Sequence, residues 1–307
     1  MGYETFYKLT ALPFSSAPSS RFYFSALPHE RTLAKLKRAA QDMLGLAVCT
    51  GEAGSGKTML ARQLLSALPD TEYEAALLVI VHSGVTAEWL LKRIALQLGV
   101  EKPAEEKLAL LSQLYRRLAI IYKEGRKAVV MIDEAQMLAS RALMEEFRGL
   151  LNLEVPGRKL VTFVFFGLPD LWDALALDAP LKQRVAVHCP LGTLTAAETR
   201  DYIRHRLSLC GGSPDLFSPE AVEAAHRWSG GLPRLINTLC DNALYDGAQL
   251  QRPAIDAPLI DAVAEDLQFA PPTLATAAAE PPPAAPAEAL LEELADFDRL
   301  LDELNRY

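Results

Sequence analysis

Residues 51–58 read Gly51-Glu52-Ala53-Gly54-Ser55-Gly56-Lys57-Thr58 and satisfy the spacing G-x-x-x-x-G-K-[ST] at every fixed position. Such an octapeptide constrains the fold around it, because it functions only between a buried strand and a helix that starts where it ends. Leu46-Ala47-Val48-Cys49-Thr50 on one side is an apolar run suited to that strand, and Met59-Leu60-Ala61-Arg62-Gln63-Leu64-Leu65 on the other is apolar at helical spacing. The glycines let backbone N–H groups turn inward around phosphate oxygens, and the helix directs its positive end at the same point. Lys57 then reaches the β- and γ-phosphates, and the Thr58 hydroxyl sits on Mg²⁺. The pattern therefore implies a bound nucleoside triphosphate.

The second half of such a site is an acidic residue at the end of another buried strand. Ala128-Val129-Val130-Met131-Ile132-Asp133-Glu134 supplies it, 76 residues beyond Lys57 (133 − 57). The apolar run places Asp133 at the carboxyl end of its strand, where open α/β sheets bind ligands. Asp133 is suited to hold Mg²⁺, directly or through water. The neighbouring Glu134 is suited to accept a proton from the water that attacks the γ-phosphate. Two adjacent acids point to hydrolysis rather than storage of the nucleotide.

The 307 residues are enough for a large core or two domains, and no apolar run approaches the roughly 18–20 residues of a membrane span. Cys49, Cys189, Cys210 and Cys240 are far apart and form no C-x-x-C pair, as expected of buried thiols in a reducing cytoplasm. The net charge of −8 is uneven: residues 270–307 carry eight acids and two bases, a local −6, leaving about −2 on the rest. Nucleic-acid binding is thus not announced by charge, although Lys107, Arg116, Arg117, Lys123, Arg126 and Lys127 could line one surface.

Hydrophobic periodicity predicts an irregular stretch over 1–28, a helix over about 29–44, a strand at 76–81 and a helix over 86–98. A longer helix is expected over 104–124, with Leu108, Leu111, Leu114, Tyr115 and Leu118 on its apolar side, then a helix over 140–151 and a strand over 160–166. Strands alternating with helices imply a parallel sheet covered on both faces. From Thr195, which opens the capping box Thr195-Ala196-Ala197-Glu198, four helices are expected near 196–209, 219–228, 232–246 and 256–267. The chain thus divides into a nucleotide-binding domain over 1–190, an all-helical lid over 191–269, a Pro/Ala linker over 270–287, and an acidic amphipathic helix over 288–307 with Leu290, Leu294, Phe297, Leu301 and Leu304 on one face.

A parallel-sheet α/β core with a P-loop, followed by a small all-α lid, resembles the AAA+ ATPases, and within them the ExeA/GspA group of type II secretion and the MshM-like proteins of type IV pilus biogenesis. The resemblance rests on Phe6-Tyr7-x-Leu9 with Pro13-Phe14, on Thr50 through Thr58, on Asp133-Glu134-Ala135-Gln136, on Leu151-Asn152-Leu153-Glu154, and on Gly230-Gly231-Leu232-Pro233-Arg234-Leu235-Ile236-Asn237. It implies ATP with Mg²⁺ as the ligand and Arg234 as the lid arginine that touches the γ-phosphate. It also implies Arg184 as an arginine finger acting on a neighbour's nucleotide, hence a homo-oligomer, a ring (a hexamer among the options) or a filament. His82, at the end of the second strand, occupies the place where relatives carry a polar residue that restrains the catalytic glutamate. One departure concerns Gly167-Leu168-Pro169-Asp170-Leu171, where relatives place a glutamine at the second position; Leu168 cannot hydrogen-bond a phosphate or water.

These readings lead to a cytoplasmic oligomeric ATPase that organises a secretion or pilus-like envelope machine, drawn to the inner membrane by a partner that the C-terminal helix tethers. A DNA-binding AAA+ regulator of transposition of the TnsC/TniB type, and a nucleotide-gated scaffold with little turnover, share the same motifs and stay open.

Overall fold

The computed structural model describes residues 2–15 and 20–269. The linker over 270–287 and the helix expected over 288–307 lie outside the described residues.

Five strands form one parallel sheet: β1 (Leu46–Gly51), β2 (Tyr73–Val79), β3 (Lys127–Asp133), β4 (Val161–Gly167) and β5 (Val185–Leu191), in the spatial order β2-β3-β4-β1-β5. All positions of β1 and β4 are buried, and so is β3 beyond Lys127, which explains their near-continuous apolar composition. Successive side chains alternate between faces. Leu46 and Val48 join one core with the helices Ala87–Gln97, Lys107–Lys123 and Arg141–Leu150, whereas Ala47 and Cys49 join another with Leu27–Gln41 and Lys57–Ser66. On the first face Phe147 packs edge-on against Phe163 and Phe165, with ring centroids 5.2 and 4.8 Å away.

The strand β1 is flanked by β4 and β5, while the chain leaving it runs first to the edge strand β2. Its carboxyl end is therefore the point where strand order reverses, and the octapeptide lies there.

Two differences from the sequence reading have simple physical causes. Val185-Ala186-Val187-His188-Cys189-Pro190-Leu191 was not expected as a strand, because His188 and Pro190 interrupt its apolar pattern. It is an edge strand, where a missing N–H costs no ladder bond on the open side. The helix Lys107–Lys123 buries Leu110, Leu114, Leu118 and Ile121, while Leu108 is 72% and Tyr115 45% exposed. The expected apolar side was rotated from the true one, because the helix carries two leucine rows and only packing selects between them.

The last four helices among the described residues are Ala196–Leu209, Pro219–Ser229, Pro233–Gln249 and Ala257–Asp266. The capping box is formed in both directions: the Thr195 hydroxyl accepts from Glu198 N–H at 3.2 Å, and the Glu198 carboxylate accepts from Thr195 N–H at 2.9 Å. Their core also takes in Tyr3, Leu9, Phe14 and Ala26, so the start of the chain, grouped above with the nucleotide-binding domain, buries its side chains among the helices. Arg206 fixes it there. This guanidinium is 5% exposed, donates to the carbonyls of Pro13 and Ser15 and to the Tyr202 hydroxyl, and lies 4.6 Å from the Phe22 ring centroid.

Candidate functional site

A cavity of about 410 Å³ lies between the ends of β1, β3 and β4 and the helical unit. It is lined at one end by Gly54, Gly56, Lys57, Thr58 and Glu134, and at the other by Phe22, Phe24, Tyr202 and Arg206. The octapeptide forms its floor. Lys57 begins the helix Lys57–Ser66 and is 6% exposed, and its ammonium donates to the carbonyls of Gly51 at 2.8 Å and Glu52 at 3.0 Å. Burial pushes the Lys57 pKa down, and the nearby Glu134 and Asp133 carboxylates oppose that shift.

Asp133, at the end of β3, is 1% exposed; burial raises its pKa, while hydrogen bonds from the Thr58 side chain and from Glu134 N–H act the other way. Thr58 and Asp133 thus converge from two elements 75 residues apart (133 − 58). An alcohol beside a carboxylate is a hard, all-oxygen donor pair that fits Mg²⁺, which keeps several waters and takes few protein ligands. A phosphate chain fits the floor equally well, because a helix N-terminus and a buried ammonium face it together.

Glu134 occupies the left-handed region at φ 56°, ψ 36°, which is uncommon outside glycine. That turn aims its carboxylate away from the strand axis and into the cavity, where Gln136 Nε2 donates to it at 2.6 Å. Arg234 starts the helix Pro233–Gln249 on the opposite wall, and its backbone N–H donates to the Gly54 carbonyl at 3.2 Å. The approach needs glycine. Gly54 has φ +84°, and a Cβ there would lie 2.6 Å from the Arg234 Cβ. The helical unit is thereby placed directly against the octapeptide.

His82 and Arg184 are not in this cluster. The strand β2 ends at Val79, three residues short of His82, whose Nδ1 accepts from Gly84 N–H at 3.0 Å. The described partner of the Glu134 carboxylate is Gln136, and the bond described for His82 is local. Arg184 is exposed and donates to Asn152 Oδ1 at 2.6 Å and to the Arg148 carbonyl at 3.3 Å, outside the cavity of its own chain. Leu168 lines the cavity, as its position after β4 requires.

Sequence reasoning missed His29, Gln136, Tyr202 and Arg206 as cavity residues. Gln136 stood inside a quoted motif; the others carry no local signal, since they converge only when the helical unit meets the octapeptide. His29 is 6% exposed and its Nε2 lies 3.0 Å from the Ser55 carbonyl, an acceptor, so Nε2 carries the proton. Burial lowers its pKa below the ordinary 6.5. The unfolded chain therefore binds a proton below about pH 6.5 that the folded one resists, so this contribution to stability is complete above that pH and is lost as pH falls through it. A loss of up to about 1.4 kcal/mol per pH unit is expected for this one group. In His29→Gln, whose amide can donate to the same carbonyl without titrating, thermal unfolding from pH 7 to 5 declines less steeply; an unchanged slope refutes the assignment.

Residues 42–175 match the AAA domain family. With the parallel sheet, the octapeptide and the paired acids, that match gives residues 42–175 the character of a P-loop AAA-type ATPase domain. It is 37% identical over 245 residues to General secretion pathway protein A of Aeromonas hydrophila, an alignment covering 79% of this chain but only 44% of that relative. Among solved structures the fold is similar to the Aeropyrum pernix ORC2 protein in its ADPNP–ADP complexes, at 15% identity and a TM-score of 0.59 over 83% of this chain and 71% of that one. It is also similar to the Thermotoga maritima RuvB Holliday junction branch migration motor, at 19% identity and a TM-score of 0.56 over 83% and 73%.

Proposed function

We propose that this chain is an Mg²⁺-dependent ATPase that works as a homo-oligomer, ring or filament, in the assembly of a secretion or type IV pilus-like envelope machine. The observation that carries the reading is the meeting of Lys57, Thr58, Asp133, Glu134 and Arg234 around one cavity. Mg²⁺ supplies charge neutralisation on the phosphates when bound. Lys57 binds and orients the phosphate chain, Glu134 takes the proton of the attacking water, and Arg234 carries closure of the helical unit to the nucleotide. The similarity to General secretion pathway protein A supports the envelope role.

Oligomerisation follows from Arg184. It stands at the surface, outside its own cavity, and acts on a nucleotide only across a subunit boundary. Mixing Arg184→Ala subunits with Lys57→Ala subunits is expected to restore part of the activity that each lacks alone, since one partner keeps the cavity and the other the finger. No rescue, together with a specific activity independent of protein concentration, overturns the trans role.

Binding of DNA is less well supported. Of the six basic residues that could have formed a surface, Lys107 pairs with Glu146, and Arg117 and Arg126 both clamp Glu74. Turnover that rises with DNA and falls steeply with salt would restore that reading. The segment 288–307 is assigned to a protein partner. Deletion of residues 272–307 is expected to leave ATP binding and basal turnover intact and to remove partner recruitment; loss of ATP binding in the truncated chain would place the segment in the ATPase fold instead.

A further inference from the structure

The apolar side chain at Leu168 leaves the end of β4 without a polar group of its own, yet that strand end is not without one. Gln136 lies in the short 3-10 turn Ala135–Leu138 that follows β3, is 9% exposed, and crosses to the neighbouring strand. Its Oε1 accepts from Leu168 N–H at 3.1 Å, and its Nε2 donates to Glu134 Oε2 at 2.6 Å. The amide orientation is fixed by its partners: a backbone N–H needs an acceptor and a carboxylate needs a donor. Gly167 makes room for the crossing, since a Cβ there would stand 2.8 Å from Gln136 Oε1. One hydrogen of Nε2 goes to Glu134, and the side chain lines the cavity that Glu134 faces.

Resting on the ATPase reading above, we propose that Gln136 is the positioning residue for Glu134, the polar link between the ends of β3 and β4 that Leu168 cannot provide. Glu134 sits in a left-handed turn on a short side chain with free torsions, so its carboxylate has no fixed direction unless something holds it. A donor on Oε2 fixes one oxygen and leaves the other to accept the proton of water. Because Gln136 in turn rests on the backbone N–H of Leu168, the carboxylate is tied to the main chain of β4, and movement of that strand end is transmitted to it. Gln136 acts through Glu134 rather than on the nucleotide, so its removal affects the chemical step and spares binding.

Two near-isosteric variants test this. Gln136→Glu can still accept from Leu168 N–H but cannot donate, when ionised, to Glu134; Gln136→Met does neither. Steady-state turnover of Mg²⁺–ATP at pH 8 is expected to fall about tenfold to a hundredfold in both, as misorientation of a catalytic group does. The KM, and the thermal shift on adding ATP, stay within about twofold and about 2 °C of the wild type. A purely structural bridge predicts that Gln136→Glu keeps wild-type kcat, and that result overturns the proposal. So does a rise in kcat in either variant, which would make Gln136 a brake on Glu134. A wild-type protein that binds ATP and never turns it over is a different outcome, because it removes the ATPase reading on which the proposal stands.

Discussion

Lys57→Ala is expected to abolish the stabilisation that Mg²⁺–ATP gives the folded protein, whereas Glu134→Gln keeps the stabilisation and loses turnover. The contrast follows from where each group sits. Lys57 is the proposed cation of the phosphate cradle, 6% exposed, with its ammonium on the carbonyls of Gly51 and Glu52. Alanine there removes the charge that a triphosphate meets on entering. A ligand that binds only the native state at 100 times its dissociation constant contributes about 2.7 kcal/mol, and that gain disappears in the variant. Glu134 stands beyond Asp133, on the cavity side of its turn, and its carboxylate is the proposed base. Glutamine preserves its size and hydrogen-bonding reach but cannot take a proton, so a loss of about a hundredfold to ten-thousandfold in kcat is expected without loss of affinity. Differential scanning fluorimetry with and without Mg²⁺–ATP, beside phosphate release, separates the two. Turnover at the wild-type rate in Glu134→Gln disproves the assignment of the base.

Gly231→Ala is expected to cause a large loss of stability, because the added methyl group meets backbone rather than a movable side chain. Gly231 has φ +75°, and a Cβ there would lie 2.0 Å from the Leu194 carbonyl oxygen, a backbone atom that cannot swing away. The same two residues are joined in the other direction, Leu194 N–H donating to the Gly231 carbonyl at 2.9 Å. The left-handed conformation costs an alanine roughly 1–2 kcal/mol. Forcing the two backbone segments apart adds roughly 1–3 kcal/mol. Together these correspond to a fall in Tm of roughly 5–15 °C. Gly125→Ala is the control: its φ is +77° but nothing lies within 4 Å of its Cβ position, so it bears the conformational cost alone. Equal losses in the two variants would show that contact with Leu194 is not the cause. Because Gly231 stands three residues before Arg234, the variant that does fold is also expected to bind Mg²⁺–ATP less tightly.

The octapeptide half of the cavity was legible because it is local. A strand, an octapeptide and a helix are contiguous in sequence, and each fixed residue has one physical task. The paired acids were legible for a related reason: a buried strand needs an apolar run, and the residue after the run emerges at the ligand end of the sheet. Capping was equally readable at Thr195, where both halves of the box lie within four residues. The helical unit was placed within a few residues because its hydrophobic spacing and its Pro and Ser starts are local signals.

What sequence alone could not decide was everything set by the meeting of distant segments. The β5 edge strand was hidden by a histidine and a proline that an edge position tolerates. His82 was expected at the end of the second strand, but that strand ends at Val79 and the imidazole accepts from Gly84 in the turn beyond it. Gln136 stood in plain view two residues from Glu134, yet its role depends on β4 lying beside β3, which only the sheet order reveals. Arg206, in the middle of a helix, becomes a cavity residue because residues 13–15 are held against it from 191 positions or more away. Sequence by itself determined that this chain builds a strand, octapeptide and helix with two acids beside them, since those demands are met within single elements. The tertiary structure decided which residues orient them and what closes the far end of the cavity. Those contacts join segments with no common periodicity, and packing alone selects among the arrangements that periodicity allows.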